Sequence, residues 1–185
     1  MLASKLIARA AMKKGFDVRT SETIGMAQRG GSVFGHIRIG DNIFSPLIPS
    51  GKADALIAFE PAEAARQFSF LRKEGTVIVC ENPVKPYTVS ASGAYEAAAM
   101  MDFLKSKAAR LIAADIRKLP EAQSASGGGI PAVKTLNVFL LGAAVQCGIF
   151  PFDADTFKEA LHETLPHRIL EMNIKAFESG RELCA

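Results

Sequence analysis

Apolar residues open the chain at helical spacing: Leu2, Leu6 and Ile7, with Ala3, Ala10 and Ala11, lay one stripe along a helix. Lys13-Lys14-Gly15 supplies the cations and the glycine that end such a helix. The period then falls to two. Phe16 to Thr20 reads as a strand, and from Val33 the chain alternates. Val33, Gly35, Ile37 and Ile39 take one face, and Phe34, His36 and Arg38 the other, as in a half-buried strand. Gly40-Asp41-Asn42 predicts a tight turn into Ile43-Phe44-Ser45, a β-hairpin that Pro46 ends.

Further on the apolar runs become continuous. Ala55 to Phe59 and Thr76 to Cys80 suit strands covered on both faces, with a helix between them opened by Glu60-Pro61, so the three form a right-handed βαβ unit with parallel strands. A helix is expected from Tyr95 to Lys105. Arg110 to Ile116 is compatible with helix or strand, and its place in the βαβ series predicts a strand. Ser124 to Gly129 reads as a flexible loop, Pro131 as a helix start, and Val133 to Cys147 as a helix apolar nearly all round and therefore buried. Asp153 or Asp155 can cap a helix running to Leu165, and after Pro166 a last helix carries Ile169, Met172, Ala176 and Phe177 on one face, with Asn173 among them.

Composition narrows the function. The chain has 185 residues, 49% of them hydrophobic, the length of one domain (1–185) with enough apolar residues for a sizeable core. A net charge of +3 without a basic tract argues against nucleic acid as a partner but leaves room for a small anion. No apolar run reaches the ~18 residues of a membrane span and no signal-peptide zoning is visible, so a cytoplasmic chain with no membrane partner is expected. Cys80, Cys147 and Cys184 are odd in number and far apart, which argues against a disulfide framework and offers no Cys-x-x-Cys pair for a metal or cluster. Cys80, ending an apolar strand, reads as an inert core thiol.

No catalytic constellation stands out. His36, His162 and His167 lack metal-ligand spacing, Glu60 and Glu63 read as carboxylates at a helix start, and neither a Walker loop nor Gly-x-Gly-x-x-Gly is present. Binding features are better developed. Arg29-Gly30-Gly31 sets a cation and two permissive backbone positions at the mouth of a strand, where amides can turn toward an anion; taken alone it is equally a turn beside a solvated arginine. Gly127 to Gly129 precedes the buried helix, whose first turn carries Lys134, and reads either as a mobile surface loop or as a phosphate cradle. Asn137 sits within that apolar helix and needs a hydrogen-bond partner, at a cost of roughly 1 to 3 kcal/mol if none is found. A backbone acceptor is the simplest partner for it, and for Asn173.

The longer string is more specific. Ser21-Glu22-Thr23, Gly25-Met26-Ala27-Gln28-Arg29-Gly30-Gly31-Ser32-Val33, His36-Ile37-Arg38 and Gly40 resemble the gamma-type subunit or domain of 2-oxoacid:ferredoxin oxidoreductases, within which the indolepyruvate type is the nearest match. Ala53 to Leu56 with Glu60 to Ala64, Asn137 to Gly142 and Asn173 to Gly180 are similar to further signatures of that family, so the resemblance spans most of the chain. It implies a Rossmann-like three-layer α/β sandwich with a mainly parallel sheet, one β-hairpin and a helical carboxyl-terminal part. It also implies a subunit inactive alone, whose complex uses thiamine diphosphate and iron–sulfur clusters on a catalytic partner, reduces ferredoxin through that partner, and forms an acyl-CoA. Carried over, the coenzyme A side of the site falls on Gln28, Arg29, Gly30, Gly31 and Asn137, with no catalytic residue, no metal ligand and no cofactor bound by this chain alone. One departure is visible. The family pattern begins with a strand and a Gly-rich turn before the first helix, whereas this sequence opens inside that helix, with no capping residue ahead of it. The expectation is a missing first strand, a gap or unprotected edge in the sheet, and a coenzyme A site lacking one of its parts. Two readings compete with this one: a free-standing nucleotide- or CoA-binding module, and a self-contained hydrolase.

Overall fold

The structure, a computed structural model, describes residues 2–23, 32–83, 96–118 and 134–184. Helix α1 (Leu2–Lys13) buries Leu6, Ile7, Ala10 and Ala11, the stripe its sequence predicts, and Gly15 follows at φ 84° to turn the chain out of the helix. Strands β1 (Asp17–Glu22) and β2 (Gly35–Gly40) then pair antiparallel in a ladder running from Asp17 opposite Gly40 to Glu22 opposite Gly35.

The hairpin therefore exists, but with different strands from those the turn signal suggests. Asn42 does adopt the left-handed conformation, φ 57°, yet Ile43 to Ser45 form no ladder. Side chains tie this segment down instead. The Arg38 guanidinium donates to the Ser45 carbonyl at 2.9 Å, the Ile48 amide donates to His36 Nδ1 at 3.3 Å, and Ile43 alone of the three turns inward. β1 offers six consecutive backbone partners to β2, against the three residues available before Pro46, and the longer ladder wins.

Strands β3 (Ala53–Ala58), β4 (Leu71–Cys80) and β5 (Arg110–Ala114) form a parallel sheet in that order. The β3–β4 crossover is helix α2 (Pro61–Gln67) followed by a short 3-10 turn, and the β4–β5 crossover contains helix α3 (Ala97–Lys107). β4 is the central strand and its alternation divides the core. Val77 and Val79 face Ala64, Met101 and Leu104 on one side; Ile78 and Cys80 face Leu140, Ala143 and Ala144 on the other. Cys80 is 1% exposed and its burial raises the thiol's pKa, so it is the core thiol its strand predicts.

Three helices complete the second helical layer: α4 (Leu136–Gln146), α5 (Ala154–Thr164) and α6 (His167–Arg181). α4 is buried on nearly every side, as its composition requires. Asp153 caps α5, its carboxylate accepting from the Thr156 amide at 2.8 Å and the Thr156 hydroxyl at 2.7 Å. Leu6, Val138, Leu141, Phe157 and Phe177 form the centre of this layer, onto which Val18, Ile37 and Ile39 of the hairpin and Ile57 of β3 all pack. The result is the three-layer α/β arrangement with one hairpin and a helical carboxyl-terminal part. The hairpin and the parallel sheet nevertheless share no ladder, and the outer edge of β3 carries no partner strand among the described residues.

One expectation about the cysteines fails. Cys147, at the end of α4, is bonded to Cys184, in the 3-10 turn Glu182–Cys184 after α6, with Cα atoms 5.7 Å apart. Separation along the chain is a poor guide here, because α4 and α6 pack backbone against backbone and bring their carboxyl ends together.

Candidate functional site

The carboxyl ends of parallel strands are where open α/β sheets gather ligand-binding loops. At the end of β3, Glu60 caps α2: its carboxylate accepts from the Glu63 amide at 2.8 Å and the Ala62 amide at 3.2 Å, and Pro61 opens the helix where no amide is needed. The carboxylate is buried yet satisfied, so its role is to hold this helix start, as the sequence indicates. Ser32 reaches the same turn, its hydroxyl donating to the Glu63 carboxylate, which also pairs with Arg66.

At the end of β4, Asn82 Oδ1 accepts from the Ile116 amide at 2.9 Å and lies 3.6 Å from the Cys80 sulfur. One side chain thereby ties the exits of β4 and β5 together. Asp115, just after β5, is held by Arg117, whose Nε and Nη2 both contact the carboxylate, at 2.9 and 2.7 Å to its two oxygens. That pairing lowers the Asp115 pKa to about 2. Sequence reading passed over both residues. A hydrogen-bonding residue directly after a buried strand, in Glu81-Asn82-Pro83 and Ala114-Asp115, was the available signal.

Thr135, which is buried, immediately precedes α4, and the exposed Lys134 precedes Thr135. Asn137 lies in its first turn, half-buried, and its side chain makes no hydrogen bond to another described residue. The backbone acceptor expected for it is not used. Asn173 on α6 behaves differently: it is 3% exposed, its amide donates to the Ile169 carbonyl at 2.7 Å, and its Oδ1 is buried without a partner among the described residues. Backbone bonding thus accounts for half of Asn173.

Of the residues singled out for binding, Gln28, Arg29, Gly30 and Gly31 lie outside the described residues, as do Gly127 to Gly129 and Pro131. Their described neighbours fix where those segments attach. Thr23 and Phe34 are joined by a backbone bond of 2.9 Å at the end of the hairpin, and Ser32 sits against the first turn of α2. Among the described residues no group of three or more His, Cys, Asp or Glu is placed to hold a metal ion, and no helix is long and apolar enough to cross a membrane. His36 packs its ring edge-on against Phe34 and Phe70, at centroid distances of 5.6 and 5.1 Å.

A crossover-connected parallel sheet between two helical layers, with hydrogen-bonding residues collected at its carboxyl edge, defines a Rossmann-like α/β domain. Two solved structures share the fold. A keto/oxoacid ferredoxin oxidoreductase gamma subunit from Geobacter sulfurreducens matches with a TM-score of 0.62 at 21% identity, over 99% of this chain and 89% of that one. Pyruvate oxidoreductase subunit PORC from Thermotoga maritima matches with a TM-score of 0.59 at 22% identity, over 98% of this chain and 87% of that one. The pyruvate ferredoxin/flavodoxin oxidoreductase family matches residues 1–183, and the chain belongs to that family. Among its relatives, indolepyruvate oxidoreductase subunit IorB of Pyrococcus horikoshii is 35% identical, over 97% of this chain and 87% of the relative. The protein of the same name from Archaeoglobus fulgidus is 38% identical over the same shares of the two chains.

Proposed function

We propose that this chain is the non-catalytic subunit of a 2-oxoacid:ferredoxin oxidoreductase of the indolepyruvate type, with arylpyruvates as its substrates. The observation that carries the reading is the 35–38% identity, over nearly the whole chain, to subunits named for indolepyruvate oxidation. Thiamine diphosphate and the iron–sulfur clusters belong to a catalytic partner, through which ferredoxin is reduced. This chain contributes one side of the coenzyme A site.

Asn137 fits that role on its own chemistry. A half-buried amide in the first turn of a buried helix, with no hydrogen bond to another described residue, has both a donor and an acceptor to offer a polar ligand. Arg29 would supply charge to a phosphate, and Gln28, Gly30 and Gly31 amide contacts beside it. Coenzyme A, when bound, supplies the thiol that accepts the acyl group. Residues of this chain hold and orient it, and the bond-breaking chemistry is the partner's.

Isolation of the chain from its native cells tests the reading. The expected result is a hetero-oligomer whose second subunit carries thiamine diphosphate and iron, and which reduces ferredoxin with indolepyruvate only when coenzyme A and both subunits are present. Recovery of an unaccompanied chain that binds coenzyme A would support a free-standing binding module instead. Esterase or thioesterase turnover by the purified chain would favour a hydrolase over both.

A further inference from the structure

The Cys147–Cys184 bridge lies at the edge of the sheet opposite the candidate site. Cys147 ends α4 and lines a cleft of about 350 Å³ with Asp54, Arg72, Glu74 and Arg110, residues near the amino ends of β3, β4 and β5. Arg110 donates to the Cys147 carbonyl at 3.3 Å, and Arg72 pairs with Asp54 at 3.2 Å. Both bridged cysteines are half-buried, whereas the third, Cys80, is 1% exposed. The two kinds of cysteine therefore differ in burial, the bridge being the more open of the two to a thiolate from solvent.

The bridge also has something to hold. Cys184 closes a turn of three residues, Glu182 to Cys184, and packs against the apolar cluster that contains Leu140, Ala143 and Ala114. The link spans 37 residues of sequence and encloses α5 and α6 in one covalent loop. The turn packs on α4, on β5 and on the end of α6. Beside the bond, Arg181 at the end of α6 pairs with Glu178 at 2.7 Å and donates to Gln146 at 3.0 Å, and the bridge adds to these contacts in holding the turn.

We propose that Cys147 and Cys184 form a redox-responsive latch, closed as the disulfide, that fastens the carboxyl-terminal turn over the ends of α4 and β5 and opens on reaction with a cellular dithiol. The exchange is balanced. A dithiol's thiolate attacks one sulfur of the bridge, forming a mixed disulfide and releasing the other cysteine as a thiolate that takes up a proton. The dithiol's second thiol then displaces the first cysteine, so the dithiol leaves as its own disulfide and the protein gains two electrons and two protons. Opening frees Glu182 to Cys184, uncovers part of the apolar cluster beneath, and removes one constraint from the wall of the Arg72–Arg110 cleft. This inference is independent of the coenzyme A reading.

Maleimide labelling of the full chain tests it. Unfolded without reductant, the purified protein should take one adduct, on Cys80; three adducts would mean that no bridge forms and would overturn the proposal. Folded and treated with millimolar dithiothreitol, it should take adducts on Cys147 and Cys184 while Cys80 stays unlabelled. No labelling under those conditions would mark an inert structural bond and overturn the latch. Amide exchange over 182–184 should quicken by about tenfold or more on reduction. Cys147→Ser, or Cys184→Ser if the first variant does not fold, should show that fast exchange without reductant and no further response to it. Exchange indifferent to the redox state would also overturn the proposal.

Discussion

Gly142 of α4 and Gly180 of α6 form a reciprocal notch: a Cβ on Gly142 would collide with the Phe177 carbonyl, and one on Gly180 with the Phe139 carbonyl. Each helix thus sets its backbone into the space left by the other's missing side chain. Gly142→Ala or Gly180→Ala must push the helices apart along the whole contact, because the obstacle is main chain and cannot rotate away. Each is expected to cost about 3 kcal/mol or more, the upper end of overpacking effects. Chemical denaturation of the two variants measures it, and a loss under about 1 kcal/mol in either would show that the helices separate easily.

The cap of α5 predicts an acid-sensitive step. The Thr156 hydroxyl and amide, and Lys14 at 3.3 Å, lower the Asp153 pKa from 3.8 to about 2. A depressed carboxylate pKa contributes stability that is complete above its unfolded value and is lost as pH falls through the folded one, so this contribution should fade between about pH 4 and pH 2. Asp153→Asn keeps a side-chain oxygen for the cap but cannot titrate. The difference in melting temperature between wild type and Asp153→Asn should therefore shrink from pH 6 to pH 2. A constant difference would assign the acid response to other carboxylates.

Much of this fold was legible before any coordinates. The stripe on α1, the alternation of β2, the apolar runs of β3 and β4 and the all-round hydrophobicity of α4 each follow from a period or a lack of one, and each marks its element, although β4 begins at Leu71, five residues before its apolar run. What the sequence hid depends on contacts between distant segments. Ile43 to Ser45 look like the second strand of a hairpin until β1 is seen to offer the longer ladder, and Cys147 and Cys184 look unrelated until Gly142 and Gly180 draw α4 and α6 together. The candidate site was named chiefly by a string of residues resembling a known family, and Gln28 to Gly31 of that string lie outside the described residues. Asn82 and Asp115 have no such string around them, and only the meeting of β4 and β5 makes them stand out.

The open edge of β3 predicts self-association. Its backbone groups face no strand among the described residues, and such edges recruit other chains. Ala55 is half-exposed on this strand, and Ala55→Lys would place a charge along the edge. Self-association in sedimentation velocity should fall relative to wild type at equal concentration, with the melting temperature changed little. An unchanged monomer fraction would mean that association, if present, uses another surface.

The coenzyme A reading makes its sharpest prediction at Arg29 and Asn137 together. If Arg29 meets a phosphate, Arg29→Ala removes a charge-assisted hydrogen bond of roughly 1.5 to 3 kcal/mol, weakening coenzyme A binding by the assembled complex about tenfold to a hundredfold. Its effect should shrink as ionic strength rises, because salt screens the wild-type contact that the variant lacks. Asn137→Ala removes a neutral amide instead. Its loss should be smaller, about 1 kcal/mol or fivefold, and nearly insensitive to salt. The stability of the chain should hold in the second case, since the Asn137 side chain makes no hydrogen bond to another described residue. Titration of coenzyme A into reconstituted complexes at two salt concentrations, with thermal melts of each variant, separates the cases. Unchanged affinity in both variants would remove this chain from the coenzyme A site while leaving its membership of the complex intact, and a large drop in melting temperature for Arg29→Ala would make that arginine part of the fold or of the subunit interface.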